Sequence, residues 1–161
     1  MEQFKIFSLN VGKGELGISQ MPGRTGALGE DVATIAAWKT DLVISMTPID
    51  ELRSKGADVL PDMLAQIDIK WLLVPVKDFG TPDDEIEQLW LATVPLAHTI
   101  LQQGGRVLIH CYGGCGRSGM AATRIMVELG ENADTALARL REIRACAIET
   151  EDQLTWSTTV R

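Results

Sequence analysis

Cys111 and Arg117 stand six positions apart in the run His110-Cys111-Tyr112-Gly113-Gly114-Cys115-Gly116-Arg117-Ser118. A thiolate is a strong nucleophile, and a guanidinium fork binds two phosphate oxygens at once. The intervening Gly113, Gly114 and Gly116 let the backbone wrap tightly. Val107-Leu108-Ile109 ahead of them reads as a buried strand, and a helix is predicted from Arg117-Ser118. A loop between a strand and a helix N-terminus presents backbone N–H groups to an anion. Those groups, the guanidinium and the helix dipole all favour the thiolate of Cys111. A nucleophile set beneath a bound phosphate describes phosphoryl transfer through a cysteinyl-phosphate.

Cleaving a phosphomonoester also needs a proton on the leaving oxygen, so a carboxylic acid is expected opposite the nucleophile. Asp78 is the best placed. It follows the predicted strand Trp71 to Val76, in a loop leaving the same sheet edge as the Cys111 loop. Asp83 and Asp84 are expected to serve a helix N-terminus, and Asp41 and Asp50 to be surface or cap residues.

The elements that must position these residues follow from local pattern. Leu16 to Met21 reads as a strand ending at Pro22-Gly23, with Arg24 in the following turn. Glu30 to Lys39 has helical spacing, and Leu42 to Met46 is a short apolar strand. Thr47-Pro48 and Thr81-Pro82 each read as an N-cap followed by proline at the first helical position. A short helix is expected from Pro61 to about Gln66, and pairing of the Trp71 strand is expected to stop at Pro75. Further helices are predicted over Met120 to Leu129, from Asn132 to Ile143, and from about Thr150. Residues 1–14 carry little signal beyond a turn at Gly12-Lys13-Gly14. Alternating strands and helices, with strands as apolar runs, predict an α/β fold. Its central sheet is mostly parallel and flanked by helices, in a single domain spanning residues 1–161.

Composition narrows the function. A net charge of -7 and a pI near 4.8 argue against nucleic acid or an anionic membrane as partner. No apolar run approaches a membrane span, and the N-terminus has no signal-peptide pattern. The three cysteines, Cys111, Cys115 and Cys146, suggest a reducing, cytoplasmic setting rather than a disulfide framework. Their spacing with His98 and His110 suits no metal site, and neither metal nor cofactor is expected. Should Cys111 oxidise to a sulfenic acid, Cys115 and Cys146 are candidate resolving thiols; a plain loop role for Cys115 is the simpler expectation.

The run from His110 to Ser118 resembles the signature of the cysteine-dependent protein tyrosine and dual-specificity phosphatases. Lys77 to Asp83 resembles the general-acid loop of the dual-specificity branch that acts on cyclin-dependent kinases. Ile18 to Gly23, and Ala147 to Gln153, resemble two further segments of that branch. The resemblance implies a tyrosine phosphatase-like fold acting on phosphoserine, phosphothreonine and phosphotyrosine in a protein or peptide, with a kinase as a possible partner. It implies Cys111 as nucleophile, Asp78 as general acid, and Arg117 as phosphate clamp. Ser118 would stabilise the leaving thiolate, His110 would orient the loop, and Gln153 would position water. Tyr112, Gly113, Gly114, Cys115 and Gly116 would present backbone to the phosphate, and Arg24 would border the cleft. A non-catalytic phosphate-binding module has no need of Asp78 or Cys111, and a rhodanese-type sulfurtransferase has no need of Asp78 or Ser118.

Overall fold

The apolar runs become a five-stranded sheet in the computed structural model, which describes residues 2–159. The strands are β1 (Phe7–Val11), β2 (Gly14–Ser19), β3 (Leu42–Ser45), β4 (Lys70–Leu73) and β5 (Arg106–His110). Their order is β1-β2-β5-β3-β4. β5 pairs in parallel with β2 and β3, and β3 in parallel with β4; β1 is the antiparallel exception, against β2. The expected mostly parallel, helix-covered sheet is therefore present.

Seven helices among the described residues cover it: α1 (Leu28–Ala37), α2 (Ile49–Ser54), α3 (Leu60–Gln66), α4 (Asp84–Gln102), α5 (Gly116–Glu128), α6 (Ala133–Ile143) and α7 (Glu151–Thr158). Both faces of the inner strands are buried, which is why they read as apolar runs. Leu42, Ile44, Val107 and Ile109 pack with Trp90 and Val94 of α4, Met120 and Ile125 of α5, and Leu140 of α6. The intervening Val43 and Leu108 pack on the other face, with Ile35 of α1, Leu52 of α2, and Leu60 and Leu64 of α3. β5 lies inside both cores and carries the Cys111 loop at its carboxyl end, where ligands bind in open parallel sheets.

Several local expectations need correction. Residues 1–14 contain β1, whose partly buried residues give only a weak pattern. Thr47 is not a cap: Pro48 takes an extended conformation and carries the chain one residue further before α2 begins. The Thr47 hydroxyl is left buried without a partner among the described residues. Thr81 is not a cap either. Asp83 takes that role, its carboxylate accepting the Ile86 N–H at 2.9 Å, as suits the stronger N-cap residue. Pro75 does not end pairing on the β3 side, because the Val74 and Val76 N–H groups donate to Ser45 and Met46 carbonyls.

Candidate functional site

Residues 111–115 form the loop between β5 and α5, and every carbonyl in it is held from outside. The Cys111 oxygen meets His110 Nδ1 at 3.1 Å, and the Tyr112 oxygen accepts from the Met21 N–H. Arg144 donates to the Gly113 and Gly114 oxygens, at 3.0 and 3.2 Å. The Cys115 oxygen accepts from the Gly119 and Ile148 N–H groups. In a trans peptide the N–H points opposite to the carbonyl. The N–H groups of residues 112–116 are thereby turned to the loop interior, which makes an anion nest at the start of α5. Gly114 adopts a positive φ of 75°, and a Cβ there would stand 2.7 Å from the Ser19 and Gln20 backbone. Only glycine lets the loop lie against the end of β2.

Arg117 is 1% exposed and lies in the first turn of α5. Glu51 of α2 takes two of its hydrogens, at 2.7 and 2.9 Å, and the Val76 carbonyl takes a third at 2.9 Å. Of the five guanidinium N–H donors, this leaves those on Nε and the adjoining side of Nη2, a pair that suits two oxygens of one phosphate. Burial opposes the Arg117 charge, but the hydrogen bonds it donates to Glu51 and the nearness of Cys111 and Asp78 outweigh it and hold the guanidinium above its ordinary range. Glu51 escaped the sequence reading. The signal for it was an acid one turn into the helix after a strand that adjoins β5.

Cys111 is buried, with its sulfur 3.2 Å from the Ser118 hydroxyl. His110 is fully buried, and its Nε2 lies 2.5 Å from the Ser45 hydroxyl. Burial, aided by the charge of Arg117, lowers the His110 pKa to about 4, so the ring is neutral near pH 7. Asp78 stands in the loop after β4 with Oδ1 3.4 Å from Arg117 Nη2, and its side chain is 55% exposed. That loop folds back through Phe79, which has a φ of 62°, and a bond from the Gly80 N–H to the Lys77 carbonyl. Asp78 thus opens to solvent on the side of Arg117 left free by Glu51.

Gln153 is no surface residue. It is fully buried, its Oε1 accepting the Glu149 N–H at 3.0 Å and its Nε2 donating to the Gly80 carbonyl at 3.2 Å. It ties the Asp78 loop to the segment before α7, and a Cβ on Gly116 would meet its Oε1 at 2.9 Å. Arg24 lies over the Tyr112 ring, 4.7 Å from its centroid, at the loop's edge. The cysteine expectation is corrected: Cys115 is disulfide-bonded to Cys146, and Cys111 is the free thiol. Neither Cys115 nor Cys146 is therefore a thiol available to Cys111. Cys146 lies between two residues that grip the loop, Arg144 and Ile148. His98 is mostly covered and bonds Glu128 at 3.1 Å, away from this loop.

Residues 18–157 match the family described as the DSP-PTPase phosphatase domain of Swiss Army Knife proteins. Cyclin-dependent kinase inhibitor 3 of Rattus norvegicus is 36% identical over 106 residues, covering 64% of this chain and 49% of that protein. Its Mus musculus counterpart is 37% identical over 106 residues, covering 64% and 48%. The chain spans about half the length of the curated relatives it matches. A solved kinase associated phosphatase, with serine substituted for its catalytic-site cysteine, shares the fold at a TM-score of 0.84 and 24% identity, covering 98% of this chain and 93% of that one. Tk-PTP in its active form has a TM-score of 0.69 and 28% identity, covering 88% and 87%.

Proposed function

The chain belongs to the DSP-PTPase phosphatase domains, and from that membership we propose that it is a cysteine-dependent protein phosphatase, acting as one catalytic domain on phosphoserine, phosphothreonine and phosphotyrosine monoesters. The observation that carries this reading is a buried thiol and a buried guanidinium at opposite ends of a loop whose carbonyls are all held outward.

The phosphate occupies the nest, with two oxygens on Arg117 Nε and Nη2 and the others on loop N–H groups. The Cys111 thiolate attacks phosphorus. A sulfur–phosphorus bond forms as the phosphorus–oxygen ester bond breaks, and protonated Asp78 gives its proton to the departing oxygen. A water molecule then attacks the cysteinyl-phosphate, Asp78 takes its proton, and the sulfur–phosphorus bond breaks. The Ser118 hydroxyl, 3.2 Å from sulfur, stabilises the thiolate that leaves. Glu51 keeps the Arg117 fork in register. Gln153 binds the Asp78 loop with one Nε2 hydrogen and leaves the other for the hydrolytic water.

Arg24 and Tyr112 edge the cleft and would contact the peptide around the phosphorylated residue. A kinase partner is part of the proposal, supported by the names of the relatives. So is a cytoplasmic setting, although the Cys115–Cys146 bond removes the argument for it from the cysteines. No helix of the described residues is long and apolar enough to cross a membrane. The direct test is hydrolysis of p-nitrophenyl phosphate with vanadate as competitive inhibitor, followed by phosphopeptides of all three kinds. Cys111→Ser should abolish turnover and retain phosphopeptide binding. Hydrolysis above a few per cent of wild type in that variant would refute the covalent route.

A further inference from the structure

Three adjacent strands place polar side chains in a line on the sheet face covered by α1 and α3. Trp71 of β4 shares that face with Ser45 of β3, as Val43 does two residues earlier, and His110 of β5 shares it with Leu108. The Trp71 indole donates to Ser45 Oγ at 2.8 Å. Ser45 Oγ lies 2.5 Å from His110 Nε2, and His110 Nδ1 lies 3.1 Å from the Cys111 carbonyl oxygen.

The direction of this chain follows from its first member. An indole N–H can only donate. Ser45 Oγ therefore accepts from Trp71, and since it meets no third partner among the described residues, its own hydrogen turns to the one acceptor within reach, His110 Nε2. Nε2 must then be bare, and a neutral ring carries its proton on Nδ1. That proton points at the Cys111 carbonyl, which can only accept. Reversing any link would set two donors or two lone pairs face to face in a buried site. Burial keeps the ring neutral near pH 7, since protonation needs a pH near 4.

We propose that Trp71 and Ser45 are positioning residues for the phosphate loop: by fixing the Nδ1–H tautomer of His110, they hold the first loop peptide with its carbonyl outward and the Tyr112 N–H inward. The catalytic consequence rests on the phosphatase reading; the tautomer does not. Without Trp71, the Ser45 hydroxyl is free to rotate and accept from an Nε2–H. His110 would then offer a bare Nδ1 to the Cys111 carbonyl, lone pair against lone pair, and the loop's first peptide would be released to turn.

The chain has two histidines, His98 and His110, so long-range proton–nitrogen correlation spectra of uniformly labelled protein are readable. Wild type at pH 7 should show His110 with Nδ1 protonated and Nε2 unprotonated. Trp71→Phe should bring in the Nε2–H form, accepted by Ser45 Oγ, whereas Ser45→Ala should leave Nε2 unprotonated and shift its resonance, because its hydrogen-bond donor is gone. In a folded variant, kcat on p-nitrophenyl phosphate should fall about 2- to 10-fold, the worth of one net hydrogen bond. A wild-type His110 found as Nε2–H or as imidazolium overturns the proposal before any variant is made. An unchanged tautomer in Trp71→Phe overturns the role of Trp71, and an unchanged Nε2 resonance in Ser45→Ala overturns that of Ser45. Failure of wild type to hydrolyse aryl phosphates would instead count against the phosphatase reading and leave the tautomer result standing.

Discussion

Replacing Glu51 by glutamine tests how Arg117, the proposed phosphate clamp, is held. The substitution keeps shape, removes the charge, and turns an NH2 group towards one of the two Arg117 nitrogens that Glu51 now accepts from. One charge-assisted hydrogen bond is lost outright and the other is weakened, while the Val76 carbonyl still holds Nη1. Breaking a buried ion pair by removing one partner typically costs about 3–5 kcal/mol. Arg117 is 1% exposed but Glu51 is 27% exposed, so water partly screens the pair, and we expect ~2–3 kcal/mol. For a chain of 161 residues that is a fall in Tm of about 5–10 °C. Catalysis should suffer as well, because a guanidinium released from Glu51 no longer aims Nε and Nη2 at the phosphate; a loss in kcat/KM of about 10- to 100-fold converts to ~1.4–2.8 kcal/mol. Thermal unfolding and steady-state kinetics on p-nitrophenyl phosphate measure the two effects. A variant that melts within about 1 °C of wild type with unaltered kcat/KM would show that Glu51 does not set the fork, and would refute the assignment of Nε and Nη2 to the phosphate.

Asp78→Asn should slow phosphoserine and phosphothreonine peptides by about 10²–10⁴-fold, with a smaller loss on p-nitrophenyl phosphate, whose leaving group needs less help. Equal losses on both substrates, or a larger loss in Asp83→Asn, would move the general acid elsewhere. The His110 shift predicts acid sensitivity. The unfolded ring takes a proton below about pH 6.5 while the folded ring stays neutral to about pH 4, so the stabilisation is complete above 6.5 and is lost as pH falls through that window. It amounts to at most ~3 kcal/mol, and urea midpoints of wild type and His110→Gln between pH 4 and 7 should differ in slope; parallel curves would disprove it. The Cys115–Cys146 bond closes a loop with a sequence separation of 31, so Cys146→Ala in a buffer without reductant should lose about 2–4 kcal/mol. Wild type treated with a thiol reductant should fall to the same level, and an unchanged urea midpoint in both would remove the bond from the account of stability.

What the sequence discloses about this site is what lies close along the chain. Cys111, Arg117 and Ser118 fall within eight residues, and a strand, a glycine turn and a helix start suffice to bring them together. Asp78 was legible one step further out, because β4 and β5 are parallel and loops leaving parallel strands emerge on one side. Glu51, Arg144 and Gln153 were not legible in this way. Glu51 reaches Arg117 across 66 positions and Arg144 reaches Gly113 across 31, and neither residue type has a local pattern that demands such a partner. Gln153 was legible only through resemblance, since a polar residue in the first turn of an amphipathic helix ordinarily faces water. Its burial depends on Gly116, which removes the side chain that would otherwise stand in its place.

The cysteines failed for a related reason. Three thiols at irregular spacing exclude a framework of disulfides, but they do not exclude one bond formed because the fold brings two sulfurs together. Here the same turn after α6 supplies Arg144 to two loop carbonyls, Cys146 to Cys115 and the Ile148 N–H to the Cys115 carbonyl. Three grips of different chemistry converge on one short loop from one short segment. The loop from Cys111 to Cys115 has glycine where it must bend, and glycine alone would leave it free to collapse or flip its peptides. The bend comes from residues inside the loop, and its fixed direction comes from residues 144–148 and His110 outside it. A site of this kind is read from the sequence as a capacity to bind phosphate. Only the fold shows the outward carbonyls that turn that capacity into a preorganised nest.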